Sequence, residues 1–258
     1  MPTLAHLYRY PVKGLSPEPL HDVTLQPGDG FPLDRRLAIT NGAWTFDAAT
    51  YQPLRKTSFV TLMQHERLAA LHTRLLEEGT KLEVKAPDGG SVTVTVDDED
   101  SVRGFSDFLS AFLPRALPGR PWLVRSDTHR FTDVSVTSAA YMSAISLINL
   151  ASVRDLETAV GRPVDPLRFR ANVYVDGVPA WEELGWVGRE VALGEVRLRI
   201  LKRTVRCPAT EVDPATGERD LDVPRALQAH VGHRDMGVYG EVLVGGTIRP
   251  GDALTLLG

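Results

Sequence analysis

The stretch EVRLRI (195–200) puts Val196, Leu198 and Ile200 on one side of an extended chain and charged side chains on the other. Alternation with a period of two is what a half-buried strand requires, because successive side chains leave the backbone on opposite faces. SVTVTV (91–96) repeats the pattern with Val92, Val94 and Val96. Turn-forming clusters separate such runs: PDGG (87–90) precedes SVTVTV, VDG (175–177) ends NVYV, and RPGD (249–252) leads into the closing strand ALTLLG (253–258). Short strands in series favour a barrel or a sandwich, so the chain reads as mainly β with some α.

Two helices interrupt the β pattern. In FSDFLSAFLP (105–114) Phe105, Phe108, Leu109, Phe112 and Leu113 share one face, and Pro114 stops the run. In SVRDLETAVG (152–161) Ser152 and Asp155 have the spacing of a capping box, Val153, Leu156 and Val160 lie on one side, and Gly161 ends the helix. LMQHERLAALHTRLLEEG (62–79) is a third, less regular helical candidate. The polar run VDDEDSVRG (96–104) and the Pro/Gly segment LPRALPGRP (113–121) are the best breaks, which places a boundary near residue 120 and divides the chain into 1–120 and 121–258.

With 258 residues, 43% of them apolar, the chain can bury a substantial core. A formal charge of −4 leaves no global basic field, so neither nucleic acid nor an anionic membrane surface is an expected partner, and any anion site must be local. The lone cysteine, Cys207, cannot form an internal disulfide, an iron–sulfur cluster or a Cys-rich zinc site, which fits a reducing, cytoplasmic setting. No signal-like start and no apolar run of membrane-spanning length is present. Dinucleotide, Walker, HExxH and GxSxG motifs are missing, and His230 and His233 lack the acidic companions a zinc site needs.

Four patches carry unusual polar chemistry. YRYPVKGLS (8–16) offers Lys13 as a point cation and Gly14 as a place of close backbone approach, or is simply a strand end with an exposed lysine. PLDRRLAI (32–39) sets Arg35 and Arg36 before an apolar run, with Asp34 as an available partner. DPLRFRANVYVDG (165–177), if extended, puts the guanidinium groups of Arg168 and Arg170 on one face and Phe169 on the other, an arrangement suited to phosphate or carboxylate. In RTVRCPATEVDPATGE (203–218) Arg203 and Arg206 give Cys207 a positive setting that favours thiolate, a soft metal ligand; the alternative is a small buried hydrophobe.

Taken in order, YPVKGL, DRRLAI, RFRANVYVDG, WEELGWVGREVALGEVRL, RCPATEVDPATGE and GTIRPGDALTLLG resemble the MOSC proteins (molybdenum cofactor sulfurase C-terminal domain) in the form with an N-terminal β-barrel-like domain, from about Leu4 onward. The resemblance implies a MOSC β-barrel core preceded by that domain. It implies the molybdenum cofactor (molybdopterin), with Lys13 and Arg35 at its phosphate, Arg168 or Arg170 and Asn172 on the pterin side, and Ser135 in a segment approaching it. Gly14, Arg203 and Arg206 complete the expected surroundings, and Cys207 is the implied molybdenum ligand and catalytic centre. In some amidoxime-reducing relatives a downstream cysteine can be the ligand; the corresponding place falls at or near His233. Members often carry an acidic pair before the tryptophan of EELGW, whereas here Glu183 is followed by Leu184. Pyridoxal phosphate is associated with the domain by name only.

Three functions follow from the resemblance. One is an oxidoreductase that reduces N-hydroxylated or related N-oxygenated small molecules, the demanding chemistry belonging to the cofactor. Its electrons would come from separate ferredoxin- or flavoprotein-type proteins, since one cysteine cannot hold a ferredoxin cluster in this chain. The second is a carrier of the cofactor or of sulfur, without turnover. The third is a binding module with a structural cysteine.

Overall fold

Extended segments dominate residues 1–257, which a computed structural model describes with the exception of the Ala139 side chain. In chain order β1 (Thr3–Arg9), β2 (Glu18–Leu20), β3 (Val23–Leu25), β4 (Leu37–Thr40), β5 (His72–Leu76), β6 (Lys81–Lys85) and β7 (Ser91–Thr95) precede α1 (Glu99–Phe112). Then come β8 (Trp122–Arg125), α2 (Ala139–Met142), β9 (Ile145–Asn149), α3 (Leu150–Val160), β10 (Val173–Asp176), β11 (Glu190–Leu193) and β12 (Val196–Val205). The chain ends through α4 (Val223–Val231), β13 (Asp235–Val244), β14 (Gly246–Ile248) and β15 (Leu254–Leu256). The fold is mainly β with some α, as the alternation implies. Gly258, last residue of the expected closing strand, lies outside the described residues.

One eight-stranded sheet has the order β15-β11-β12-β13-β9-β10-β1-β2. Its pairs are antiparallel except β9 with β10, which α3 joins as a crossover. A second sheet, β5-β6-β7, is covered by α1, and β3 pairs with β14 and β4 with β8. The expected boundary near 120 falls between α1 and β8. β1, before it, pairs with β10 after it (Leu7 opposite Val173), while β8, after it, pairs with β4 before it.

Alternation explains the two main cores. Leu4, Leu7, Val173, Val175, Val196, Leu198 and Ile200 point from the large sheet into one cluster with Trp186. Leu82, Val84 and Val94 meet Phe105, Leu109 and Phe112 of α1 in another. Asp98 caps α1 by accepting from Ser101 N, and the helix ends before Pro114.

Two helical expectations are corrected. α3 starts at Leu150 with Asn149 as its cap, its side chain accepting from Ala151 N; Ser152 is buried in the first turn and donates to Glu183. Its end is as expected, Gly161 taking the left-handed conformation that lets the chain leave. Residues 62–79 do not form one helix: a short 3-10 turn, Glu66–Ala70, gives way to β5, where Thr73 is buried between exposed His72 and Arg74. Pairing with β6 overrides the local helical spacing there. Among the described residues no helix is long and apolar enough to cross a membrane.

Candidate functional site

β12 is core at its start and site at its end. Val196, Leu198 and Ile200 point into the core; a register shift between Ile200 and Lys202 then carries the even positions to the opposite face, where Lys202 lies opposite Tyr239, and Lys202, Thr204 and, just past the strand, Arg206 line a cleft of about 320 Å³. Cys207 follows immediately on the rim of the same cleft, partly buried. Its extended backbone (φ −120°, ψ 171°) caps a short 3-10 turn, Pro208–Glu211, and its carbonyl accepts from Thr210 N and Oγ1.

The opposite wall comes from the first half of the chain. Gly14 has φ +86°, and a Cβ there would lie 3.0 Å from the Val60 carbonyl oxygen, so glycine permits the close passage that brings Thr61 to the cleft. Lys13 is buried and donates to Phe131 O at 2.9 Å and to Asp133. Arg35 donates to Asp34 (2.5 Å) and to Arg170 O (3.0 Å). The guanidinium groups of Arg35 and Arg170 lie 4.8 Å and 4.4 Å from the ring centroid of fully buried Tyr10. Asn172 accepts from Ser146 N and Oγ and donates to Tyr8 O and Asp34, so it acts by fixing the carboxylate that fixes Arg35.

Seven lysines and arginines line the cleft (Lys13, Arg35, Lys56, Arg168, Arg170, Lys202 and Arg206) against a single carboxylate, Asp133, among the described residues. This is the local cationic site that the net charge of −4 left possible. Burial lowers the pKa of Arg170 to about 10 and also lowers that of Arg206. Burial lowers Lys13 as well, against the opposing pull of Asp133. For Asp133 burial works upward, but Lys13, followed by Lys56 and Arg35, brings the carboxyl down to about 2. Burial works downward on Lys56, yet Cys207 and Asp133 hold its ammonium above the usual lysine range. Lys56 and Arg206 are thus the lining cations electrostatically coupled to Cys207.

Five buried polar atoms of lining residues have no hydrogen-bond partner within the chain: Thr61 Oγ1, Thr132 Oγ1, Arg168 Nε, Arg170 Nη2 and Thr204 Oγ1. Buried polar groups are ordinarily paired, so five on one cleft mark a surface built to meet a polar ligand. A phosphate-bearing pterin with a metal fits this donor set: cations and hydroxyls for the anionic and heteroatom-rich part, and a thiol for the metal.

Of the sequence-derived residues, Lys13, Gly14, Arg35, Arg168, Arg170, Asn172, Arg206 and Cys207 come together on the cleft. Three do not line it. Arg203 lies on the other face of β12 and donates to Leu184 O. Ser135 closes a turn by donating to Thr132 O. His233 follows α4, where its Nδ1 accepts from Asp235 N.

The Arg168/Arg170 pair is also corrected, because its segment is not extended. Asp165 caps a 3-10 turn with Pro166 in first position, and Arg170 is left-handed at φ 52°. The two guanidinium groups therefore diverge. Arg168 anchors the loop after Cys207 through Glu211 O, Asp213 and Asp220, and Arg170 turns to Tyr10. Glu183 lies outside the cleft, accepting from Asn149 and Ser152. Burial raises its pKa despite those bonds.

Residues that the sequence reading missed are Lys56, Thr61, Asp133, Lys202, Thr204 and Tyr239. Lys202 and Thr204 were accessible from period two, counting back from Arg206. Lys56 and Thr61 reach the cleft only through tertiary packing.

A mostly β protein with a cationic cleft ending at a thiol is the class that fold and site define. Residues 127–255 match the model of the MOSC domain and residues 1–112 that of the MOSC N-terminal beta barrel domain; the chain belongs to the MOSC family. It is 30% identical to mitochondrial amidoxime-reducing component 1 of Mus musculus over 62% of this chain and 51% of that protein. It is 25% identical to the protein of the same name from Homo sapiens over 99% of this chain and 83% of that one. Molybdenum cofactor sulfurase of Caenorhabditis elegans is 25% identical over 92% of this chain and 33% of its own length. The chain thus spans about half of the mouse relative and a third of the nematode one. Among solved structures, the YuaD protein from Bacillus subtilis is similar over 98% of this chain and 94% of that one, with 15% identity and a TM-score of 0.45.

Proposed function

We propose that the cleft holds the molybdenum cofactor and that the protein is an oxidoreductase acting on N-hydroxylated or related N-oxygenated small molecules. The observation that carries the reading is the coincidence, in one cleft, of seven cations, five unpartnered polar atoms and the lone thiol. The family membership and the names of the relatives support it. Lys13, Arg35 and Arg170 would hold the phosphate end, Thr61 and Thr204 would donate to polar edges, and Cys207 would ligate the metal. When bound, the cofactor supplies the two-electron redox chemistry. The chain's part is to bind and orient it: the Asn172–Asp34–Arg35 sequence of hydrogen bonds sets one guanidinium, Tyr10 sets two, and Lys56 adds a cation coupled to Cys207. Electrons would arrive from separate ferredoxin- or flavoprotein-type partners.

Lys56 beside Cys207 serves a second reading equally well, a carrier of cofactor or sulfur, because a persulfide is also an anion. Molybdenum and pterin are measured on wild type and Cys207→Ser from a host that makes the cofactor. Wild type is expected to carry both stoichiometrically, and the variant to lose the metal while melting normally, since the volume hardly changes. Full metal content in the variant would sink the assignment. Turnover of an amidoxime by the loaded wild type with a chemical reductant separates reductase from carrier.

A further inference from the structure

We propose that Asp133 is a built-in stand-in for the bound anion: in the ligand-free protein its carboxylate engages the ammonium groups of Lys13 and Lys56, and a phosphate-bearing ligand that takes those groups releases Asp133 together with the segment that carries it. This rests on reading the cleft as the site of such a ligand.

The ion pair is asymmetric. The Lys13 side chain is 7% exposed and is held in place by Phe131 O, whereas Asp133 is 48% exposed. Lys13 cannot turn outward to solvent, so the carboxylate is the partner free to leave. Lys56 reaches the same carboxylate at 3.7 Å from the other side. Asp133 is also the one acid among the described lining residues, set against seven cations. An acid kept there opposes anion binding unless it yields its place.

The segment around Asp133 is arranged to yield. On its N-terminal side Phe131 is fixed within Phe46, Tyr51 and Phe59. From there to β9 the chain contributes Thr132, Val134 and Ala144 to the cleft, while Val136 is 49% exposed. Its second tie is Tyr141, whose ring lies 5.3 Å from the Lys202 ammonium, again a cleft cation. These two ties depend on cations that a phosphate, with more charge and more acceptor atoms than a carboxylate, would recruit, whereas the packing of α2 on β13 does not, so the release is centred on Asp133 and the chain leading to α2.

Inorganic pyrophosphate is the probe, titrated calorimetrically into ligand-free wild type and Asp133→Asn. Hydrogen exchange over residues 132–144 is followed in wild type with and without it. Removing a competitor comparable to a charge-assisted hydrogen bond is expected to tighten binding about tenfold or more. In wild type, pyrophosphate is expected to speed exchange in 132–144 while protecting the strands around the cleft. Equal or weaker binding by the variant, or exchange in 132–144 that slows or stays unchanged, would overturn the proposal, because Asp133 would then remain beside the ligand. If neither protein binds pyrophosphate, the anion-site reading falls, and this inference with it. The exchange experiment needs no variant and stands even if Asp133→Asn folds poorly.

Discussion

Tyr10 has no exposed surface, yet its ring supports two guanidinium groups of the cleft, those of Arg35 and Arg170. Its hydroxyl makes only a long contact, 3.5 Å, with that of Tyr174. Tyr10→Phe keeps both ring faces and should bind pyrophosphate like wild type. Tyr10→Leu loses both cation–π contacts, and at about 0.5–2 kcal/mol for each its affinity should fall roughly tenfold. Titration of the two variants, with melting curves as control, checks the pair; equal loss in both would mean that the ring does not position the arginines. Five of the seven cleft cations and the thiol were legible in the sequence because charge and the thiol announce themselves: Lys13, Arg35, Arg168, Arg170, Arg206 and Cys207 all reach the cleft. Tyr10 and Lys56 were not, because their roles depend on neighbours distant along the chain.

At the scale of the element, β12 shows why strands were readable and the site's polar lining was not. Alternation fixes which face Val196, Leu198 and Ile200 share, but it does not reveal the register shift between Ile200 and Lys202 that turns the later even positions to the opposite face, toward the cleft. Thr204 sits past that change, 5% exposed, its hydroxyl without a partner. Thr204→Val keeps the shape and removes a buried unsatisfied group, a change worth up to about 1 kcal/mol in favour of the fold, so Tm should rise by roughly 2–4 °C. Cofactor content after purification from a competent host should fall. A variant that melts no higher and keeps its cofactor would make Thr204 an ordinary strand residue. The 165–170 segment failed for a related reason: alternation presumed an extended chain, while the Asp165–Pro166 cap starts a 3-10 turn that rotates Arg168 away from Arg170.

At the scale of the whole molecule, strand pairing crosses the place where the sequence composition changes. LPRALPGRP reads as a linker, and the family models leave residues 113–126 between them. Even so, β1 lies within the large sheet, flanked by β10 and β2, with Leu4 and Leu7 each 1% exposed in the core that Val173 and Val175 share. A fragment of residues 121–258 would lose both leucines, at about 1.5–3 kcal/mol each, and leave β10 as an unpaired edge. It would lose β3 from β14 as well. Against a total stability of about 5–15 kcal/mol for a domain, the leucines alone remove a large share, and the lost pairing at β10 and β14 adds to it. The fragment is therefore expected to show no sharp thermal transition and to aggregate through the β10 edge, whereas a fragment that restores residues 1–26 by co-expression should recover part of the transition. A sharp melt for 121–258 alone would mean that β1 is an attachment to a self-sufficient sheet. Binding sets a stricter limit than stability, because Lys13, Arg35 and Lys56 stand on one side of the cut and Arg170, Arg206 and Cys207 on the other. Even a folded 121–258 should bind pyrophosphate far more weakly than the full chain, since it lacks the wall that supplies those three cations.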